Sequence, residues 1–145
     1  MSPPEPVRLH HVALTVSDLD ASVAWYCSVF GIDHRLDVPH VGGIGKVLAD
    51  DDWTLSIALH AHDTSPHGSF HENRIGLDHV GFALATRADL ERWQEHLAAY
   101  GVQPAAEADR PLTQAPIADV PYGSVLVFRD PDNIQLELFA PPSGH

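Results

Sequence analysis

One short phrase occurs twice in this chain, and the repeat limits the possible folds more than any other feature. Residues 9–16 read LHHVALTV and residues 77–84 read LDHVGFAL, so that 68 residues separate His11 from His79. Apolar and β-branched residues dominate both phrases, which is typical of a strand. A chain that carries the same strand twice is predicted to contain two modules of similar structure.

A helix is predicted after each of these strands. In the first half, Ser17 opens a Ser-x-x-acid sequence that is typical of a helix start, and Gly31 stands where a glycine cap ends a helix. In the second half, Thr86 and Gly101 take the same places at offsets of 69 and 70 residues. The apolar stripes at helical spacing are Leu19, Val23, Tyr26 and Phe30, then Leu90, Trp93, Leu97 and Tyr100.

About three more strands follow each predicted helix. They are expected at residues 35–38, 44–49, 53–59, 102–107, 124–128 and 134–139. A helix covers only one face of a small sheet, so two such modules can enclose a cleft between their open faces. The sequence therefore predicts an α+β fold in which two tandem βαβββ modules form a curved mixed sheet around a cleft.

A chain of 145 residues is predicted to be a single domain. The first module is expected to span residues 8–62 and the second residues 77–140, with a loop at residues 63–76. The two ends, residues 1–7 and 141–145, are proline-rich and without periodicity, and we expect them to be flexible.

The composition limits the possible partners. Eight Lys and Arg against twenty Asp and Glu give a net charge of −12, and the absence of a basic run argues against nucleic acid. No segment approaches the roughly 18 apolar residues of a membrane span, and the N-terminus lacks the apolar core of a signal peptide. The single cysteine, Cys27, fits a reducing compartment. We therefore expect a cytoplasmic protein that binds neither nucleic acid nor a membrane.

Strand alternation predicts where the repeated histidines point. Successive side chains point to opposite faces of a strand, so His11 shares a face with Ala13 and Thr15. The helix is expected to cover the other, more apolar face. His79 shares its face with Gly81 in the same way. Small neighbours beside each histidine leave room for a ligand in the cleft.

The last strand adds an acid to this cleft. Glu137 lies among apolar residues, and an ionised carboxylate there is costly unless a cation such as a metal ion compensates it. By the duplication, residues 57–60 are overlaid on residues 134–137, which makes His60 the predicted counterpart of Glu137. The cleft is then predicted to hold His11, His60, His79 and Glu137.

Three phrases resemble the vicinal-oxygen-chelate superfamily: HHVALTVSDLDASVAWYCSVFGI, GLDHVGFAL and GSVLVFRDPDNIQLELF. This superfamily contains glyoxalase I, methylmalonyl-CoA epimerase, fosfomycin-resistance proteins, bleomycin-binding proteins and extradiol dioxygenases. Its paired βαβββ modules bind a divalent metal through a histidine from the first strand of each module and a glutamate from the last. The resemblance, from about Leu9 to Phe139, implies His11, His79 and Glu137 as metal ligands, with His60 near the fourth ligand of some members.

This ligand set implies a chemistry. It suits Fe(II), Ni(II), Zn(II), Mn(II) or Co(II), and it leaves positions open for two adjacent oxygens of a substrate. The resemblance favours a metal-dependent lyase or isomerase of the glyoxalase or epimerase kind, with Glu137 and His60 as candidate catalytic residues and Tyr122 as a candidate substrate contact. The alternative is an Fe(II) extradiol-type dioxygenase, for which His11, His79 and Glu137 supply the two-His, one-carboxylate triad.

A different class of function is a metal-free, drug-binding protein of the bleomycin-resistance kind. The charge of −12 suits a cationic ligand, whereas the retained His and Glu set argues against a cleft without metal. The resemblance also implies a homodimer, with the cleft built within one chain or shared across two. His62, His67 and His71 are expected to be solvated loop residues.

Overall fold

A computed structural model describes residues 1–66 and 68–142 of the chain. These described residues form an α+β structure with two helices and two mixed sheets. The chain divides into two compact units, residues 1–66 and 67–145. Across the described residues, neither helix has the length and apolar character that a membrane crossing needs. His67 and residues 143–145, for which solvation and flexibility were expected, lie outside the described part.

The first unit has the predicted βαβββ order. Its elements are β1 (Val12–Thr15), α1 (Leu19–Phe30), β2 (Asp33–His40), β3 (Gly43–Ala49) and β4 (Ser56–His62). The sheet order is β1-β4-β3-β2, with β1 parallel to β4 and the other pairs antiparallel. The strand expected from residue 53 begins only at Ser56, because Trp53 lies in a turn with a positive φ of 59°.

Helix α1 begins one residue later than the sequence pattern indicates. Asp18 is the N-cap, and its carboxylate accepts a hydrogen bond of 3.1 Å from the backbone N–H of Ala21. Asp and Ser cap helices about equally well, so the adjacent acid takes the place predicted for Ser17. The C-cap is Gly31 as predicted, in the left-handed conformation with φ 66°.

The core of the first unit lies on one face of its sheet. Tyr26 and Val29 of α1 are fully buried, as are Leu48 of β3 and Leu59 of β4, and Leu14 of β1 is 5% exposed. Each such side chain stabilises the fold by about 1.5–3 kcal/mol through burial. The opposite face of this sheet carries His40, His60 and His62.

The second unit has more strands than predicted. Its elements are β5 (Val80–Ala83), α2 (Arg87–Ala99), β6 (Gln103–Pro104), β7 (Thr113–Gln114), β8 (Ala118–Val120), β9 (Gly123–Arg129) and β10 (Gln135–Ala140). The sheet order is β5-β10-β9-β7-β6, and β8 pairs with β9. The strand expected at 102–107 shrinks to two residues, since Pro104 has no N–H to donate to a neighbouring strand.

Both ends of α2 follow the sequence pattern. Thr86 and Asp89 form a capping box: the Thr86 hydroxyl accepts from the Asp89 N–H at 3.2 Å, and the Asp89 carboxylate accepts from the Thr86 N–H at 3.1 Å. Gly101, with φ 86°, follows the C-cap residue Tyr100. Leu90 and Leu97 of this helix are fully buried.

In each unit the first strand pairs in parallel with the last strand, so the registers of the two units can be compared. In the first unit Ala13 of β1 is opposite Ala58 of β4, and in the second unit Gly81 of β5 is opposite Glu137 of β10. Ala13 and Gly81 are equivalent in the duplication, being 68 residues apart. The structural counterpart of Glu137 is therefore Ala58.

The predicted equivalence of His60 and Glu137 is wrong by two residues. His60 is opposite Thr15, and the second-unit residue in that place is Phe139. A shift of two residues along a strand keeps every side chain on its original face, so the apolar alternation is the same in both registers. His60 still lies on the face predicted for it, but two residues further along β4 than the position equivalent to Glu137.

Candidate metal and substrate site

His79 and Glu137 form a close pair in the second unit. His79 directly precedes β5, Glu137 lies on the neighbouring β10, and His79 Nε2 is 3.4 Å from Glu137 Oε2. Two ligand atoms bound to one ion at about 2.0–2.2 Å lie roughly 3 Å apart. Both side chains are partly exposed, at 41% and 22%, so an ion can reach them.

Asp78 orients the His79 ring. Its carboxylate lies 2.7 Å from His79 Nδ1 and accepts a hydrogen bond of 3.2 Å from the Gln135 side-chain amide. With its Nδ1–H donated to a carboxylate, an imidazole presents the lone pair of Nε2, the arrangement common in metal-binding histidines. Asp78 and Gln135 were not identified from the sequence, although Gln135 shares the strand face of Glu137.

His11 lies in the first unit, directly before β1, and is exposed. Its Nδ1 is 2.8 Å from Nδ1 of His10, and the two rings meet edge to face with centroids 5.1 Å apart. This contact leaves His11 Nε2 as the nitrogen available to a ligand.

A pocket of about 470 Å³ lies on the open face of the first-unit sheet. Its polar members are His10, His11, Ser56 and His60, and its apolar members are Leu36, Val38, Val47, Trp53 and Ala58. Ligand pockets of this size commonly combine apolar walls with a few polar groups that fix orientation. His11 and His60 thus face the same pocket, as alternation predicts.

His60 is half-buried at the pocket. Burial, followed by the nearby His40, His62 and His11 rings, lowers the pKa of His60 below its usual value. The ring is therefore neutral near pH 7, and a neutral imidazole can bind a metal or accept a proton. His40, His60 and His62 also offer ligand atoms that all lie within 4.8 Å of one another.

Tyr122 lies in the turn between β8 and β9 and is 67% exposed. Its ring stacks on Phe139 with centroids 6.2 Å apart and planes 18° from parallel. Phe139 is two residues beyond Glu137 on β10, so both side chains are on the same face. Tyr122 therefore lies beside the face that carries Glu137.

Arg129 has a structural partner in Glu72. The buried guanidinium donates to the two Glu72 carboxylate oxygens at 2.9 and 3.1 Å, and it also donates to the backbone oxygens of Ala108 and Asn133. The hydrogen bonds that Glu72 accepts from Arg129 lower the pKa of Glu72 to about 2. The pair attaches the segment before β5 to the end of β9.

Most of the chain matches a known protein family. The sequence model of the Glyoxalase/Bleomycin resistance protein/Dioxygenase superfamily matches residues 8–138. The chain is 28% identical over 137 residues to the uncharacterized protein YqjT of Bacillus subtilis strain 168, covering 92% of this chain and 98% of that protein. It is 25% identical over 140 residues to the uncharacterized protein YaeR of Escherichia coli strain K12, covering 91% and 95%.

Solved structures give the same result. A glyoxylase/bleomycin resistance protein/dioxygenase domain from Frankia sp. EAN1pec has a TM-score of 0.81 and 32% identity, covering 97% of this chain and 96% of that one. A mutant of the fosfomycin resistance protein FosX from Listeria monocytogenes, complexed with Mn(II) and 1S,2S-dihydroxypropylphosphonic acid, has a TM-score of 0.62 and 20% identity, covering 94% and 93%. The second likeness concerns the fold alone. From the family match and the Frankia domain together, the chain belongs to the Glyoxalase/Bleomycin resistance protein/Dioxygenase superfamily.

Proposed function

We propose that this protein is a metal-dependent enzyme that acts on a small molecule with two adjacent oxygens. The proposed ligands of the divalent ion are His11, His79 and Glu137. The observation that carries the proposal is the His79–Glu137 pair, in which Asp78 holds the imidazole with Nε2 3.4 Å from the glutamate oxygen. The Mn(II) bound by FosX, a protein of the same fold, supports the choice of a divalent ion.

The ligand set proposed here has three protein members. Ala58, at the position equivalent to Glu137, has no ligand atom to offer. The strand register does not support His60 as a fourth ligand, since the equivalent residue of the second unit is Phe139 and not Glu137. Binding of this ion by His60 remains a prediction. A six-coordinate ion with three protein ligands keeps three positions for water and substrate.

Lyase or isomerase chemistry is the first candidate. A bound divalent ion would stabilise negative charge on the substrate oxygens. His60 lines the same pocket as His11 and is neutral, so it is placed to accept a proton from a bound substrate; Glu137 is the second candidate base. General base catalysis of this kind contributes about 10²- to 10⁴-fold in rate.

An extradiol-type dioxygenase is the second candidate, and the alanine at position 58 favours it. With three protein ligands, the set is two histidines and one carboxylate, which is typical of non-haem Fe(II) oxygenases. In both candidates the apolar walls of the first-unit pocket, formed by Leu36, Val38 and Val47, would contact the carbon skeleton of the substrate.

The two candidates can be separated by activity after reconstitution with single metals. Untagged protein loaded with Fe(II) would be assayed with catechols under oxygen, and protein loaded with Mn(II), Co(II), Ni(II) or Zn(II) with 2-oxo thioesters and hemithioacetals. Glu137→Gln, which keeps the side-chain size, is the control. Activity that survives this substitution unchanged would contradict the proposal, whichever metal supports it.

The assembly and cellular location are also proposals. We propose a cytoplasmic homodimer, following the resemblance to dimeric members of the superfamily. Sedimentation velocity at micromolar concentration is expected to give twice the monomer mass, and a monomer would contradict this part of the account.

A further inference from the structure

We propose that His40, His60 and His62 form a second metal site, which binds a zinc-like transition-metal ion on the open face of the first-unit sheet. One ring nitrogen from each histidine lies within 4.8 Å of the other two. The site goes beyond the function proposed above, since it requires neither His79 nor Glu137.

Strand pairing brings the three histidines together. His60 and His62 are two residues apart on β4, so they share a face, and His40 is the last residue of β2. Strand β3 runs between these two strands, and its Gly43 pairs with His40 on one side and His62 on the other. Two strands therefore supply three imidazoles above the strand that separates them.

Glycines on β3 provide the space for these rings. A Cβ atom at Gly45 would lie 2.8 Å from His60 Nδ1, and one at Gly43 would lie 2.8 Å from His40 Cε1. Real Cβ atoms essentially never come this close to another atom, so a larger residue at position 45 would displace the His60 ring. At position 43 it would clash first with the backbone oxygen of Ala61 and then with the His40 ring. The two glycines allow the histidines of β2 and β4 to lean toward each other.

The rings already have a geometry close to that of a metal site. His40 Nε2 is 3.1 Å from His60 Nδ1, and two nitrogens on a tetrahedral zinc ion are roughly 3.3 Å apart. The ring centroids are 5.2 Å apart for His40 and His60, and 5.3 Å apart for His40 and His62. For all three rings to bind one ion, the most distant pair of ligand nitrogens must approach by at most about 1.5 Å.

A backbone contact determines which ring nitrogen of His40 can bind a metal. Its Nδ1 lies 3.1 Å from the carbonyl oxygen of Val41, which can only accept a hydrogen bond. Nδ1 therefore carries the proton, and Nε2 presents its lone pair to the cluster. This is the type of outer hydrogen bond that fixes the ring of a metal-binding histidine.

The donor set indicates the class of ion. Three imidazoles suit Zn(II), Co(II), Ni(II) or Cu(II), whereas Mg(II) and Ca(II) require oxygen ligands. Three histidines around zinc leave the fourth position to water or to a ligand. Because His60 also lines the pocket with His11, an ion held here would engage the ring proposed above as a proton acceptor. Excess zinc is then expected to inhibit the enzyme.

Cobalt binding tests this site directly. The untagged His79→Ala/Glu137→Ala double variant, which lacks the first proposed site, would be titrated with Co(II) and followed by calorimetry and by the visible absorption of tetrahedral cobalt. One equivalent is expected to bind. Adding His62→Ala is expected to remove the tetrahedral spectrum and to weaken binding by at least about tenfold.

Two further variants tie the result to the geometry. Gly45→Ala is expected to weaken cobalt binding because its methyl group displaces the His60 ring. His34→Ala is the matched control: His34 is on the same strand as His40, but it pairs with the buried Leu48 and so lies on the other sheet face. It is expected to leave binding unchanged. Circular dichroism and a thermal melt establish that each variant is folded.

The outcomes also separate this site from the first one. The second site is supported if the double variant binds cobalt and the added His62→Ala substitution abolishes that binding. This support holds even if Glu137→Gln leaves the metal content of the otherwise unmodified protein unchanged, which would contradict the proposed function. No tetrahedral cobalt in the double variant, or binding that a folded His62→Ala variant retains in full, overturns the second site and leaves the proposed function untouched.

Discussion

Ala58 occupies the strand position in the first unit that Glu137 occupies in the second. Each is on the last strand of its unit and pairs in parallel with the first strand, opposite Ala13 and Gly81 respectively. The duplication has therefore left a carboxylate at only one of two equivalent places. This asymmetry is what makes the proposed ligand set a triad with open positions.

The first prediction restores the missing carboxylate. Ala58→Glu is expected to add a fourth ligand to the proposed site, because Ala58 lines the same pocket as the proposed ligand His11. Metal affinity is expected to rise by about tenfold, since hard and borderline ions gain from an added carboxylate, and activity is expected to fall because a substrate position is filled. Calorimetric titration measures the affinity, with Ala58→Gln as the uncharged control. Equal affinities for Ala58→Glu, Ala58→Gln and the unmodified protein would count against the proposed location of the ion.

The second prediction concerns the residue that orients His79. Asp78→Asn keeps the size of the side chain but removes the charge beside Nδ1, so the metal affinity is expected to fall by about 10- to 100-fold. A competition titration with a chelator of known affinity measures it. Asp109→Asn, an exposed acid of the same unit beside Arg110, serves as control and is expected to change nothing. If the two variants behave alike, Asp78 has no role in metal binding.

The third prediction is a loss of stability when Glu72 is neutralised. Glu72→Gln leaves the buried Arg129 without its carboxylate, and hydrogen bonds to charged groups contribute about 1.5–3 kcal/mol each. Urea denaturation is expected to show a decrease in the free energy of unfolding within this range. Glu91→Gln breaks an exposed pair with Arg87 and is expected to cost much less stability than Glu72→Gln, because water screens exposed ion pairs.

The fourth prediction is a change in acid sensitivity from the same pair. The pKa of Glu72 falls from 4.5 to about 2 in the folded protein, so its stabilising effect is complete above pH 4.5 and is lost as the pH falls towards 2. The stability difference between the unmodified protein and Glu72→Gln should narrow over this interval. Denaturation curves at several pH values measure it, and a constant difference down to pH 2 would contradict the assignment.

Much of the fold was predictable because it depends on local signals. The cap pair of Thr86 and Asp89 and the glycine at position 31 each specify their own backbone and are found as predicted. The two repeated strands are also found, but they are shorter than predicted and begin directly after His11 and His79. Alternation also assigned the correct faces to His60 and Glu137. These signals do not depend on distant parts of the chain.

The remaining features depend on pairing between distant segments. The place of His60 was missed because a two-residue shift in register preserves the apolar alternation of β4. The short strands β7 and β8 were missed because two or three residues cannot show a period. The cluster of His40, His60 and His62 depends on the order of three strands and on glycines between them, neither of which the spacing of the histidines reveals.

The most direct test of the central claim is the metal content of untagged protein purified without chelator. Mass spectrometry would compare the unmodified protein with Glu137→Gln after both are loaded with the same divalent ion and desalted. The proposed site predicts that the variant, folded as shown by its thermal melt, loses one equivalent of metal relative to the unmodified protein. Equal metal content in the two proteins would contradict the claim that Glu137 is a ligand.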